Sequence, residues 1–132
     1  MLTGRCLCGA VRYAIEGEPL ALLYCHCLEC RRATGSSLNT SVLVREADFR
    51  LISGDALGFH ESSPGNHRFF CTRCGSPIYK RFPQPEGLVT VRAGTLEGDP
   101  GLRPLAHVWV SEKAPWFEIR DGLPQHPRGL GT

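Results

Sequence analysis

Seven cysteines fall into three clusters along this 132-residue chain: Cys6-Leu-Cys8, Cys25-His-Cys27-Leu-Glu-Cys30 and Cys71-Thr-Arg-Cys74. Four thiolates saturate a tetrahedral zinc ion, whereas three leave one position open to a substrate. Two pairs and one triplet therefore read as two metal sites with different tasks, although spacing alone does not prove which pair joins which.

The triplet carries the chemistry. Cys25 and Cys27 sit on one side of a strand end, and Cys30 folds back through the start of a helical turn. A thiol entering the open position of such a site loses its proton far below its free pKa, so the metal would hold a nucleophile at neutral pH without a separate base. His26, between two ligands, points away from them and suits a hydrogen-bonding role beside the metal. Were it a fourth ligand, the site would be closed. His60, His67, His107 and His126 show no ligand-like spacing.

In Phe70-Cys-Thr-Arg-Cys-Gly-Ser76, two residues separate the sulfurs, and Gly75 permits the positive φ that closes a zinc knuckle. Cys6 and Cys8 are closer in sequence and, on a regular strand, would share a face. Joined by the fold, the four would form a structural site, with a binding free energy of roughly 10 to 16 kcal/mol in small zinc modules. The competing reading makes Cys6 and Cys8 ordinary buried residues.

The elements that must position these sulfurs are mostly strands. The segment from Gly9 to Glu16 alternates Val11, Tyr13 and Ile15 with Arg12, Ala14 and Glu16, the period of a half-buried strand. Leu20-Ala-Leu-Leu-Tyr24 leads into the triplet as a further strand. Segments at 41–44, 49–52, 68–70, 77–79, 88–91 and 106–110 are rich in β-branched and aromatic residues between turn signals. Leu28–Thr34 is the one helical turn, stopped by Gly35 in a left-handed cap. Fifteen glycines and ten prolines punctuate the chain, so the pattern is all-β. Residues 1–124 form one domain on this reading, and the glycine- and proline-rich 125–132 segment is a loose tail.

With 15 basic and 13 acidic residues dispersed along the sequence, no block attracts nucleic acid or a membrane surface. The N-terminal residues lack a secretion-signal pattern, and no apolar run is long enough to span a bilayer. The expected location is the cytoplasm, where thiols stay reduced and clustered cysteines act as metal ligands sooner than as disulfides.

The segments Gly4–Tyr13, Cys25–Gly35, Phe70–Ser76 and Ala93-Gly-Thr-Leu96, with His107-Val-Trp-Val-Ser111 and Trp116, together resemble the glutathione-dependent formaldehyde-activating family, whose domain is shared with centromere protein V. The resemblance runs from Gly4 to about Pro124. It implies a compact β-tent-like architecture of several small antiparallel sheets with two zinc ions. One ion would lie on Cys6, Cys8, Cys71 and Cys74, and the catalytic one on Cys25, Cys27 and Cys30.

The family reaction condenses glutathione with formaldehyde to S-hydroxymethylglutathione, a carbon–sulfur lyase reaction in reverse. Arg31 and Arg32, directly after the third ligand, are the candidates to receive glutathione's carboxylates. Because the chain is short for that role, a related thiol or a larger aldehyde is an alternative substrate. A non-catalytic zinc-stabilised binding module is the rival class. A methionine sulfoxide reductase of similar architecture would need a cysteine near Val108–Ser111, and none is there.

Overall fold

A computed structural model describes all 132 residues. The chain runs through β1 (Leu2–Arg5), β2 (Arg12–Ile15), β3 (Ala21–Cys25), α1 (Leu28–Thr34), β4 (Asn39–Arg45), β5 (Phe49–Ser53), β6 (Leu57–Ser63), β7 (Asn66–Cys71), β8 (Pro77–Arg81), β9 (Leu88–Arg92) and β10 (Pro104–Val108). The all-β expectation holds. There are two sheets: a three-stranded one in the order β1-β2-β5, and a seven-stranded one in the order β10-β3-β4-β9-β8-β7-β6. Every strand pair is antiparallel except β10 with β3, which is parallel.

The alternation of β4 divides the large sheet into two unlike faces. Val42 and Val44 lie opposite Val91 and Val89 of β9, and Val91 lies opposite Tyr79 of β8. These side chains are buried against Val11, Tyr13 and Ile15, so the core fills the space between the sheets. Each such aliphatic side chain contributes roughly 1.5 to 3 kcal/mol by leaving water. Phe49 of β5 spans the gap, with ring centroids 5.3 Å from Tyr13 and 4.4 Å from Tyr79.

The other face of the large sheet is polar. Asn39 and Ser41 of β4, Thr90 and Arg92 of β9, and Arg68 of β7 are all buried there, with Lys80 of β8 half-buried among them. Register sets the neighbours: Ser41 pairs with Arg92, Thr90 with Lys80, and Lys80 with Arg68. The period of two that sends valines to the core sends these residues to the opposite side.

The structure departs from the sequence reading at three places. Cys6 to Cys8 occupies a turn between β1 and β2 instead of a strand. Strands β1 and β6 carry no apolar alternation: Gly4 interrupts β1, and β6 is an edge strand with exposed Phe59. The C-terminal segment, expected to lie loosely, runs beside β10. There, His107 and Trp109 donate to the carbonyls of Pro124 and Arg128 at 2.9 Å, and His126 donates to the His107 carbonyl at 2.8 Å. Its backbone thus satisfies an edge that would otherwise face water. No helix is long and apolar enough to cross a membrane.

Candidate metal centres and cavity

Two turns of the same design build the four-sulfur group. Gly9, with φ +82°, donates its N–H to the Cys6 carbonyl at 3.2 Å, and Gly75, with φ +81°, donates to the Cys71 carbonyl at 2.8 Å. Each turn aims its two sulfurs inward, and a residue with a Cβ would be strained in either glycine's place. The sulfurs of Cys6, Cys8, Cys71 and Cys74 lie within 4.8 Å of one another, with Cys6–Cys8 at 3.6 Å and Cys8–Cys71 at 3.8 Å. Backbone and hydroxyl donors surround them. Val11 N–H points at Cys6 Sγ from 3.3 Å, and Ser76 Oγ lies 3.2 Å from Cys74 Sγ. That Ser76 contact is the largest of several that pull the Cys74 thiol down to about 5.

The second group comes from the end of β3 and the start of α1. Cys25 closes the strand, Cys27 is the N-cap of the helix, and Cys30 lies in its first turn. The Cys27 sulfur accepts the Cys30 N–H at 3.3 Å, so one sulfur of the triplet also caps the helix. Gly35 ends α1 at φ 68° and donates to the Arg31 carbonyl, as the sequence anticipated. The three sulfurs lie within 4.8 Å of one another.

Charge is distributed unevenly over this triplet. Hydrogen bonds from Cys25 and Cys27 hold Cys30 well below the usual thiol range; burial opposes this, while the cations of Arg68 and Arg92 reinforce it. Cys25 is pushed far up by its hydrogen bonds to Cys27 and Cys30 and by burial. The two shifts run in opposite directions within one hydrogen-bonded group of sulfurs. The Arg68 guanidinium forks onto the Cys30 sulfur from 3.7 and 3.8 Å, and Asn39 Nδ2 stands 3.9 Å away.

A cavity of about 490 Å³ opens beside the triplet, lined by all three of its cysteines. Leu23, Phe82, Val108 and Trp109 form its apolar wall. Trp109 has a left-handed backbone, φ 58°, and its N–H is held by the C-terminal segment. Asn39, Ser41, Thr90, Arg92 and Lys80 from the polar face of the sheet complete its lining, with Leu23 paired to Ser41 on that same face. Arg31 and Arg32 are not part of this lining. Arg31 donates to the Glu112 carbonyl at 2.8 Å, and Arg32 is exposed on α1.

Residues 1–112 match the family described as "Glutathione-dependent formaldehyde-activating enzyme". The chain belongs to this family. A Halomonas elongata protein named "Putative glutathione-dependent formaldehyde-activating enzyme" is 30% identical over 128 residues, covering 90% of this chain and 81% of that protein. A crystal structure of a Rhodobacter sphaeroides protein is similar at 26% identity with a TM-score of 0.64, covering 77% of this chain and 97% of that one.

As a formaldehyde-activating family member, the protein has two cysteine groups whose donor chemistry fits metal ions, since clustered thiols bind soft or borderline cations. Sequence reasoning did not single out Arg68, Lys80 or Arg92 beside the triplet. The available signal was weak: each is a basic residue that ends or interrupts an apolar strand, a pattern shared with ordinary surface positions. His107, whose ring meets that of His26, and Asp121, which meets His107, were likewise missed. Both lie far from His26 in sequence.

Proposed function

We propose that the protein is a zinc-dependent carbon–sulfur lyase that, in the synthetic direction, condenses a thiol such as glutathione with formaldehyde or a related aldehyde. One zinc ion would be held by Cys6, Cys8, Cys71 and Cys74, and a second by Cys25, Cys27 and Cys30. Sulfurs about 2.3 Å from a tetrahedral zinc stand about 3.8 Å apart. The separations of 3.6 and 3.8 Å in the four-sulfur group suit that ion.

The observation that carries the reading is the placement of a three-sulfur group on the wall of a cavity of about 490 Å³, large enough for a small-molecule ligand. At the triplet, Cys25, Cys27 and Cys30 would hold a zinc ion, which when bound would lower the pKa of a substrate thiol so that it ionises at neutral pH. The chain itself supplies orientation. Arg68 and Asn39 hold Cys30, Cys27 is locked as the helix cap, and the apolar wall limits water around the aldehyde carbon. In the reaction, a sulfur–carbon bond forms, the carbonyl π bond breaks, and the proton lost by the thiol ends on the aldehyde oxygen. On this reading the protein works in the cytoplasm, where thiols are kept reduced.

Zinc stoichiometry and NMR of carbon-13 formaldehyde with glutathione test the proposal. The expected result is two zinc ions per chain and faster appearance of the hydroxymethyl thioether resonance than in buffer. One zinc ion per chain with no acceleration would leave a non-catalytic zinc-stabilised module.

A further inference from the structure

Three cations meet on the polar face of the large sheet without a carboxylate partner. Arg92 is 5% exposed and Arg68 is 8% exposed, and Lys80 is half-buried between them. The eight ion pairs of the structure include none of the three. Glu29 and Glu112 also line the cavity, but Glu29 lies against Ser63 Oγ at 3.4 Å and Glu112 accepts the Leu28 N–H at 2.8 Å. Burying a cation without a counter-charge is costly.

The triplet compensates only part of this charge. Three thiolates around a divalent ion carry a net charge of −1, and Arg68, forked onto Cys30 Sγ, faces that charge directly. Arg92 and Lys80 remain. Arg92 donates only to hydroxyls, Ser41 Oγ at 3.3 Å and Thr90 Oγ1 at 3.4 Å, and Lys80 Nζ lies 4.8 Å above the Phe82 ring.

The hydroxyls indicate the same kind of ligand. Ser41 Oγ accepts from Asn39 Nδ2 at 2.6 Å as well as from Arg92, so its own O–H is left to point elsewhere. Thr90 Oγ1 accepts from Arg92, and its proton likewise has no acceptor within the protein. A guanidinium, an ammonium and two hydroxyl protons therefore converge where no protein acceptor stands. Such a set selects a ligand rich in acceptors and negatively charged.

We propose that Arg92 and Lys80, with Ser41 and Thr90, form a carboxylate subsite that receives an acidic group of the thiol while its sulfur occupies the triplet. This rests on the reading of Cys25, Cys27 and Cys30 as the thiol site. It assigns the carboxylate to the sheet and not to the exposed face of α1 that bears Arg32. Thiols lacking a carboxylate are thereby poor substrates.

Binding to the cobalt-substituted protein tests the subsite, with the sulfur-to-cobalt absorption band as the readout. The probes are glutathione and its diamide, in which both carboxylates are neutral. Wild type is expected to bind glutathione at least about tenfold more tightly than the diamide, as suits a desolvated charge-assisted contact. Lys80→Gln, at a half-buried position, is expected to lose most of that preference, and Arg92→Lys to keep part of it. Equal affinities in wild type, or a preference intact in Lys80→Gln, would overturn the subsite while leaving thiol binding in place. A cobalt band unmoved by either thiol would overturn the thiol reading and the subsite together.

Discussion

His26 Nε2 stands 2.8 Å from His107 Nδ1, and both rings are buried. His107 Nε2 in turn lies 2.8 Å from Asp121 Oδ2. The carboxylate can only accept, so a neutral His107 donates from Nε2 and accepts at Nδ1 from the His26 N–H. His26 Nδ1 is then a bare lone pair with no protein partner. Burial first, then the nearby His107, Lys113 and Arg31, push His26 down to about 4, so it stays neutral near pH 7. The chain of three residues clamps the backbone between Cys25 and Cys27 onto β10 and the C-terminal region.

Removing one member of this chain should cost more than removing two. His107→Leu leaves the His26 N–H buried and unpaired, an expected loss of about 2 kcal/mol. Replacing both histidines by leucine removes donor and acceptor together and should recover part of it. Urea unfolding of the two single variants and the double variant measures the difference; strictly additive losses would contradict the chain.

The two cysteine groups should fail in different ways. Cys27→Ser keeps a good helix N-cap, so the variant should melt within a few degrees of wild type while losing one metal ion and the condensation activity. On the proposed reading Cys74→Ser breaks a structural zinc site, and in small zinc modules such sites bind with roughly 10 to 16 kcal/mol, which rivals the whole stability of a domain. The variant's cooperative unfolding transition should disappear. Calorimetry with metal analysis on each purified variant checks both outcomes.

Alkali should weaken the fold through Tyr13. Burial is the main cause that pushes its hydroxyl up to about 12 from 10.0, although its 2.6 Å contact with Thr95 Oγ1 pulls the other way. A raised folded-state value means the stabilisation is complete below pH 10 and is lost as pH rises towards 12, because the unfolded chain ionises first. Two units correspond to about 3 kcal/mol. Unfolding free energy of wild type measured across this interval should fall more steeply than that of Tyr13→Phe; parallel slopes would rule the effect out.

Gly4→Ala should be poorly tolerated although Gly4 has ordinary strand geometry. A Cβ there would overlap Cζ and the hydroxyl oxygen of Tyr13, its cross-strand partner. Tyr13 is fully buried and cannot withdraw, so β1 must shift, at a cost of about 2 to 3 kcal/mol. Thermal denaturation reads the loss, and restoring room with Gly4→Ala in a Tyr13→Leu background should return part of it.

Much of the fold was legible because the signals are local. Val11, Tyr13 and Ile15 alternate with the period of a strand and are buried as that period requires. Leu28–Thr34 is a helix that stops at Gly35 because only a residue tolerant of positive φ ends it so. β1 and β6 were illegible because neither has a repeating apolar face: one packs a glycine against a tyrosine, and the other borders solvent.

By itself, the sequence determined the number of sulfurs, their division into pairs and a triplet, the β character of the chain and its family resemblance, since each is written in spacing between near neighbours. Only the tertiary structure joined Cys6 and Cys8 to Cys71 and Cys74, brought His107 and Asp121 to His26, and gathered Arg68, Lys80 and Arg92 from three strands beside Cys30. Those meetings depend on strand register and sheet order. Register is a property of which strands pair and by how many residues they are offset, and no single segment of the chain contains it.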